Sequence, residues 1–423
     1  MVVDAGPARR LSDAHAAPLD GLRGIAIALV LWFHIWQITW LRADVTLFGT
    51  TFNFNWICET GFVGVDLFFF VSGFCLFYPY ARARFDGAPP QGIGTFAYRR
   101  FIKIVPSYLL AIAAFVALGW ATFASPADEV TQIVRHLLFV HTFWNDSYGS
   151  INGVLWSLAV EVQFYLIFPA LAWAALRRPF STFLAIAVVA NAYRIAVSPQ
   201  YDAVHLMDQL PGALDLFGGG MLAAYAYRAI AVRAPRVAAW RAAWTALALA
   251  GFAGFYAVLQ DAFAARLVPG SGWPVTWHAH GNAELVLAFL ALTLGSLFAF
   301  PLWQRLLANP ALTFLSAISY NLYLWHAAVA HALVAARLPP WAGSNGHADP
   351  RWGLAFSFVA TASAIAVATL VTYAFEHPLL RGALLRVRRD RGTFVEVAPS
   401  HSRAVTVLPH AIAAFSFEGD HDE

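Results

Sequence analysis

The chain has 423 residues, of which 60% are hydrophobic and only 12% are charged, and its mean hydropathy is +0.60. Water-soluble domains carry about 25% charged residues, so this composition excludes an ordinary soluble enzyme and indicates an integral membrane protein. The formal net charge of +3 is small, and we find no signature of a nucleic-acid-binding protein.

The first apolar span, LDGLRGIAIALVLWFHIW, contains two ionisable side chains, Arg23 and His34. Eleven residues of helix return to roughly the same face and rise about 16 Å, so both side chains lie on one stripe. Because arginine is costly at membrane depth, ionisable groups inside a span predict a functional site. This spacing would suit a protein that binds one end of a long anionic molecule and acts on its other end.

Windows of about 20 apolar residues predict an all-α bundle of about ten transmembrane helices. The predicted spans are 19–41, 60–80, 101–124, 152–176, 179–197, 209–230, 238–260, 281–302, 311–336 and 353–376. Arg and Lys are concentrated in alternate connections, and the positive-inside rule then places both termini in the cytoplasm. We expect a leader at 1–18, the membrane domain at 19–380, and a disordered cytoplasmic tail at 381–423.

Four ionisable residues on four predicted spans reach similar depths in the outer half of the bilayer. From the helix rise, His34 and His326 lie about 22 Å above the inner edge, and Asp66 and Glu161 about 9 and 13 Å below the outer edge. Each would be costly alone, so we expect them to surround one cavity. The alternatives are that His326 and Glu161 only brace the bundle, and that Asp66 is structural, for example paired with Arg194.

A basic cluster stands on the cytoplasmic side of the predicted third span. FAYRRFIKIVPSY places Arg99, Arg100 and Lys103 just before this span, and Arg82 and Arg84 end the second one. Such clusters orient neighbouring helices, and they equally suit phosphate groups, so both interpretations stay open. Two cysteines are too few for a cysteine-based zinc site, and we expect no metal.

Seven ordered sequence blocks resemble the acyltransferase family 3 membrane proteins. They are LDGLRG with the Arg-to-His spacing, GFVGVDLFFFVSGF, RRFIKIVPSY, LWSLAVEVQFYLIFP, LDLFGGG, SYNLYLWH and FEHPLLR, and they cover about residues 17 to 382. Members of this family move acyl groups, usually acetyl, from acyl-CoA onto hydroxyls of surface glycans, nodulation signals or antibiotics. The resemblance implies a multi-pass acyltransferase of the inner (plasma) membrane that modifies a polysaccharide or glycoconjugate.

The resemblance also implies roles for individual residues. Arg23 and His34 match the essential Arg and His pair of the family, and Glu161 matches the Glu of its Ser-Leu-x-x-Glu-x-Gln-Phe-Tyr block. Arg100 and Lys103 fall on the Arg-x-x-Arg motif tied to the nucleotide end of acyl-CoA. Lys in place of the second Arg keeps the charge and loses a bidentate contact.

These observations converge on one expected mechanism. Acyl-CoA, with acetyl as the expected acyl group, enters from the cytoplasm with its phosphates near Arg99, Arg100 and Lys103, and Arg23 steadies it. His34 then acts as general base on an acceptor hydroxyl from the outer side, or is itself acylated.

Glu161 or Asp66 would orient the His34 imidazole and stabilise its charged form. The expected pocket residues are Ser72, Trp156, Tyr165, Tyr323 and His326. The expected partners are acyl-CoA as co-substrate, a carbohydrate or glycoconjugate acceptor and the lipid bilayer, with no bound cofactor and no nucleic acid. The sequence does not indicate the oligomeric state.

A proton-coupled transporter or flippase is the main alternative, because ionisable groups at mid-depth also suit a proton relay. Transporters of this size usually contain repeats or helices broken by Gly or Pro in matching positions of two halves. The sequence has no such repeat, and GGG at 218–220 is at most a single break. Transfer of succinyl or a longer acyl group is a further alternative.

Overall fold

The computed structural model describes residues 17–382, except residues 90, 201–202, 234–236, 238, 270–271, 342 and 344–345. The expected leader and cytoplasmic tail therefore lie almost entirely outside the described residues.

The described chain is helical apart from connections and one short hairpin. The first elements are α1 Ala17–Thr39, β1 Asp44–Leu47, β2 Thr50–Asn53, α2 Asn55–Glu59, α3 Val63–Asp86, α4 Ile93–Ala117, α5 Pro126–Leu137, the 3₁₀ turn His141–Phe143, α6 Asn145–Tyr148 and α7 Trp156–Arg177. They are followed by α8 Pro179–Val197, α9 Ala203–Met207, α10 Leu210–Ala231, α11 Arg241–Arg266, α12 Trp273–Phe298, α13 Pro301–Leu307, α14 Pro310–Ala335, the 3₁₀ turn Gly346–Ala348, α15 Pro350–Val371 and the π-turn Thr372–Glu376.

Each of the ten predicted spans coincides with a long helix. By length and composition, eight helices of the described chain can cross a membrane, and they are α1, α3, α4, α7, α8, α11, α12 and the continuous segment Pro350–Gly382. The predicted sixth and ninth spans are α10, of 22 residues, and α14, of 26 residues. The expected all-α membrane bundle is confirmed, with the antiparallel hairpin β1–β2 as the β-structure of the described residues.

Two long helices, α14 and α15, begin with a capping residue followed by proline. Asn309 caps α14 by accepting a hydrogen bond from the Leu312 backbone N–H at 3.0 Å, and Pro310 follows it at the first helical position. Asp349 caps α15 in the same way through the Arg351 N–H at 2.9 Å. Proline has no N–H to leave unsatisfied there, so this local sequence sets where each helix begins.

The start of α4 differs from the prediction in a way that matters for the site. The third span was predicted at 101–124, but α4 is Ile93–Ala117. Arg100 and Lys103 therefore lie inside the helix, about 10 and 15 Å along its axis. The hydropathy window began too late because the clustered cations lower the local average, although the helix continues through them.

Glycines allow the helices of the core to approach each other closely. A Cβ on Gly220 of α10 would lie 1.8 Å from the Phe70 carbonyl oxygen of α3, and a Cβ on Gly73 of α3 would lie 2.1 Å from the Phe217 oxygen. Gly219 and Gly220 thus pack against α3 while Gly218 contacts Ile186 of α8, and α10 continues through the GGG segment without a break. Small residues are the usual means of close helix packing in membranes.

A buried ion pair joins α8 to α10. Arg194 donates to both carboxylate oxygens of Asp215, at 2.9 and 2.6 Å, and also to the Gly212 carbonyl and the Asn191 side chain. Arg194 is fully buried and Asp215 is 4% exposed. Because both terminal nitrogens of the guanidinium are hydrogen-bonded, the pair braces the bundle.

Candidate active site

Helices α1 and α14 carry the two ends of the candidate site. Their backbones lie in contact, since a Cβ on Gly24 would sit 2.3 Å from the Leu312 carbonyl oxygen. Next to this contact, Arg23 donates to the Ser319 hydroxyl at 3.3 Å, and three turns further along α1, His34 meets His326. Both contacts are made by one pair of helices, so the spacing of the two sites is fixed by their packing.

His34 is half-buried near the C-terminal end of α1. Its Nδ1 lies 2.9 Å from the Val30 carbonyl oxygen and 3.1 Å from Nε2 of His326. His326 is 1% exposed, and its own Nδ1 lies 2.9 and 2.8 Å from the carbonyl oxygens of Leu322 and Tyr323. The imidazole of His34 is therefore held by one ring nitrogen, while the other is not part of these contacts.

A second polar region surrounds Arg23 and consists of side chains from α3, α4, α7, α14 and the π-turn after α15. Lys103 of α4 pairs with Glu376, whose other carboxylate oxygen accepts from Asn321 at 2.8 Å. Asn321 also donates to Thr372 at 2.9 Å. Glu376 is 3% exposed and belongs to the π-turn after α15, a local widening of the helix that is frequent at functional sites.

Glu161 faces the same region. It accepts a hydrogen bond from Ser72 of α3 at 2.7 Å. Tyr165 lies close to both Glu161 and Arg100, and the charges of Arg23, Arg100 and Glu161 all act on Cys75. Cys75 is exposed although it lies in a core helix, so these groups leave an open space beside its side chain. We name this space, lined by Arg23, Ser72, Cys75, Arg100, Lys103, Glu161, Tyr165 and Glu376, the charged chamber.

The predicted single cavity is thus divided in the structure. His34 is brought together with His326, while Glu161 joins Arg23 in the charged chamber. Asp66 is 8% exposed, and the charges that act on it are those of Asp208, Asp215 and Arg194. Asp66 therefore lies with the structural ion pair of α8 and α10, and not beside His34.

The remaining predicted pocket residues lie between these regions. Tyr323 accepts a hydrogen bond from Ser157 at 2.6 Å and donates to the Val154 carbonyl at 3.0 Å, which ties α14 to the start of α7. Trp156 packs against Phe69 with ring centroids 6.1 Å apart. Arg99 is exposed on α4, next to Arg100.

A polar cover, formed by Asp208, Tyr148, His136 and His141, lies outside the spanning helices. Asp208 accepts a hydrogen bond from Tyr148, and burial raises the pKa of Asp208 to about 7. The buried rings of His136 and His141 stack with centroids 3.8 Å apart. Burial lowers the pKa of His136 to about 4 and that of His141 to about 3, so both are neutral at pH 7.

Sequence reasoning missed Glu376, the partner of Lys103, and Asn321, which donates a hydrogen bond to Glu376. The FEHPLLR block contained the only available signal for Glu376, an acidic residue followed by proline at the end of an apolar span. Within the described residues, no group of three or more His, Cys, Asp or Glu side chains is placed to hold a metal ion.

These observations define a class of protein, a helical membrane protein with a charged chamber and a histidine site at two levels of one bundle. A family model described as an acyltransferase domain, acyltransferase family 3, matches residues 17–417, and the chain belongs to this family.

Two relatives differ in how much of their length is matched. The chain is 24% identical over 360 residues to nodulation protein 10 of Rhizobium leguminosarum bv. viciae, which covers 78% of this chain and 87% of that protein. It is 30% identical over 176 residues to a peptidoglycan O-acetyltransferase of Listeria monocytogenes, covering 38% of this chain and only 25% of that protein. No solved structure matches the chain.

Proposed function

We propose that the protein transfers an acyl group, acetyl in the first instance, from cytoplasmic acyl-CoA to a hydroxyl of a carbohydrate or glycoconjugate on the outer side of the plasma (inner) membrane. The observation that carries this proposal is the arrangement on α1 and α14. Arg23 lines the charged chamber, and His34 lies about 16 Å further along the same helix. This separation suits a donor whose charged end and reactive thioester are far apart.

The topology that this function needs is a bundle of ten spans with both termini in the cytoplasm. One helix pair supports an alternating arrangement. The contacts Asp20–Ser316, Arg23–Ser319 and His34–His326 advance in the same direction along α1 and α14, so these helices are parallel. They are the first and ninth predicted spans, which alternation requires to be parallel. A reporter active only in the cytoplasm, fused to the C-terminus, tests this topology.

The charges of the chamber suit the donor. Arg23 and Arg100 offer cations to the phosphates of acyl-CoA, with Arg99 exposed beside them on α4. Lys103 differs from the expectation because its charge is already paired with Glu376. We assign Lys103 to holding α4 against α14 and α15, with Arg100 as the phosphate-binding member of the motif.

The chemical step at His34 follows from the properties of imidazole. His34 takes the proton of the acceptor hydroxyl while the hydroxyl oxygen attacks the thioester carbonyl. The tetrahedral intermediate collapses, the carbon–sulfur bond breaks, and the leaving sulfur of CoA takes the proton back from His34. The two-step route, in which His34 carries the acyl group, uses the same residue and the same two substrates.

Sealed vesicles test the proposed direction of transfer. Right-side-out membrane vesicles are loaded with radiolabelled acetyl-CoA, and surface glycan is removed enzymatically from the outside and counted. Label in the released glycan supports the proposal. Label that stays inside, or that enters glycan only in permeabilised vesicles, contradicts it. Excess unlabelled succinyl-CoA in a parallel sample shows whether the donor site accepts a longer acyl group.

A further inference from the structure

A general base at His34 requires an unprotonated ring nitrogen that faces the acceptor, and the hydrogen bonds identify which nitrogen this is. His34 Nδ1 lies 2.9 Å from the carbonyl oxygen of Val30. A carbonyl oxygen only accepts hydrogen bonds, so Nδ1 is the donor and carries the proton. In a neutral imidazole the other nitrogen, Nε2, is then unprotonated.

The same reasoning fixes the state of His326. Its Nδ1 lies 2.9 and 2.8 Å from the carbonyl oxygens of Leu322 and Tyr323, so Nδ1 donates and Nε2 is unprotonated. This bare Nε2 lies 3.1 Å from His34 Nδ1. The opposite assignment, in which His326 Nε2–H donates to His34, would leave one His34 nitrogen and one His326 nitrogen facing carbonyl oxygens without a proton between them. One assignment for neutral rings therefore gives every contact a donor and an acceptor, with the single His34 Nδ1–H shared between the Val30 carbonyl oxygen and His326 Nε2.

We propose that His326 is a positioning residue for His34: its Nε2 accepts the His34 Nδ1–H bond and thereby leaves His34 Nε2 as the base. This inference rests on the proposed acyl transfer, which assigns the base to His34. The surroundings favour such a fixed orientation, because the His34 ring meets the edge of Phe33 at 5.2 Å and the His326 ring at 4.8 Å between centroids.

Protons balance without a change in His326. When His34 Nε2 takes the proton of the acceptor hydroxyl, the ring becomes an imidazolium and its Nδ1–H bond to His326 strengthens. The proton then passes from Nε2 to the sulfur of CoA, and both rings return to their starting states. His326 does what the buried carboxylate does in a Ser-His-Asp triad, but as a neutral acceptor that brings no charge into the bundle.

One group outside this pair is relevant to its titration. His331, one and a half turns further along α14, is exposed, and its charge acts on both His34 and His326. It is therefore the matched control on the same helix. His331→Leu removes a neighbouring imidazole but no hydrogen bond to His34.

The first test reads the tautomers directly. Protein labelled with ¹⁵N-histidine is studied by NMR, and the signals of the pair are assigned by their loss in His34→Gln and His326→Gln. Protonated Nδ1 and bare Nε2 in both rings support the proposal. A protonated Nε2 on His34 overturns it, whether or not acyl transfer is detected.

The second test is kinetic. His326→Leu is expected to lower kcat at least tenfold, less than the roughly 10²–10⁴-fold contribution of the base itself, with an unchanged KM for acetyl-CoA. His326→Gln, whose amide oxygen still accepts a hydrogen bond, is expected to keep more activity, and its dependence of kcat on pH should stay closer to wild type. His331→Leu should match wild type.

The outcomes separate this inference from the proposed function. Wild-type kcat and pH dependence in His326→Leu, together with an inactive His34→Ala, overturn the role of His326 and leave the acyl transfer intact. Full activity in His34→Ala overturns both. Equal losses in His326→Leu and His326→Gln, with altered KM, indicate a merely structural histidine and also overturn the inference.

Discussion

Lys103 of α4 and Glu376 of the π-turn form an ion pair between residues that lie far apart in the sequence, with side-chain exposures of 28% and 3%. The pair places a cation from a motif expected to bind phosphate against a carboxylate on the last helix. The ion pair therefore holds α4 against the end of the last helix, and it also neutralises one positive charge of the charged chamber.

Removing only the cation should destabilise the protein. Lys103→Met leaves Glu376 buried and without its ion-pair partner. We expect a cost of about 1–3 kcal/mol, below the roughly 3–5 kcal/mol of a fully buried pair, because Lys103 is partly exposed. The double variant Lys103→Met with Glu376→Gln should recover part of the loss, since no charge is then left unpaired. Thermal unfolding in detergent measures this, and a double variant as unstable as Lys103→Met would contradict it.

The contact between α1 and α14 should be intolerant of a methyl group at one glycine. A Cβ at position 24 would lie 2.3 Å from the Leu312 carbonyl oxygen, so Gly24→Ala must push the two helices apart. We expect a lower melting temperature and a lower transfer rate, because both Arg23–Ser319 and His34–His326 depend on this packing. Gly94→Ala in α4 is the control, since no atom lies within 4 Å of its Cβ position. An unchanged melting temperature and transfer rate in Gly24→Ala would show that the helices do not pack this closely.

Much of this architecture could be predicted from the sequence, and the failures have physical causes. All ten helices were located because long apolar windows are a strong signal. The start of α4 was missed since Arg100 and Lys103 interrupt such a window, although Glu376 and the chamber compensate for them. Helix rise gives a position along each helix but no azimuth between helices, so Asp66 was grouped with His34, whereas the charges that act on Asp66 are those of Asp208, Asp215 and Arg194. The pairing of His34 with His326 could not be predicted from the sequence, because it depends on how α1 packs against α14.

Arg100 should affect donor binding more than the chemical step. Arg100→Gln removes a cation from the charged chamber, and loss of one charge-assisted contact of about 1.5–3 kcal/mol corresponds to a rise in KM for acetyl-CoA of about 10- to 100-fold. Arg84→Gln, which removes an exposed cation at the end of α3, is the control and should leave KM unchanged. Steady-state kinetics at varied acetyl-CoA distinguishes these cases. A fall in kcat with unchanged KM in Arg100→Gln would argue against phosphate binding at this residue.

The polar cover, which contains His136 and Asp208, should make the stability of the protein sensitive to acid. His136 has its pKa lowered to about 4 by burial, whereas the unfolded chain titrates near pH 6.5. Between about pH 6.5 and 4 the unfolded state binds more protons than the folded state. The contribution of His136 to the free energy of unfolding therefore falls as the pH falls. Asp208 acts in the opposite sense, because its pKa of about 7 makes the folded state bind more protons between about pH 4 and 7.

The difference between wild type and His136→Gln isolates the histidine. Melting temperatures measured from pH 7.5 to 4.5 should fall less steeply in His136→Gln than in wild type. Expressed as the free energy of unfolding, the difference in slope between the two proteins is at most about 1.4 kcal/mol per pH unit for one proton. Parallel curves would mean that His136 is accessible to protons in the folded protein.

The most direct test of the account is acyl transfer by membranes that contain equal amounts of wild-type protein or His34→Ala. Both are supplied with radiolabelled acetyl-CoA, and the extracted surface glycan is counted. We predict label in the glycan with wild type and none above background with His34→Ala. Equal labelling by both would show that His34 is not the catalytic base and would contradict the mechanism proposed here.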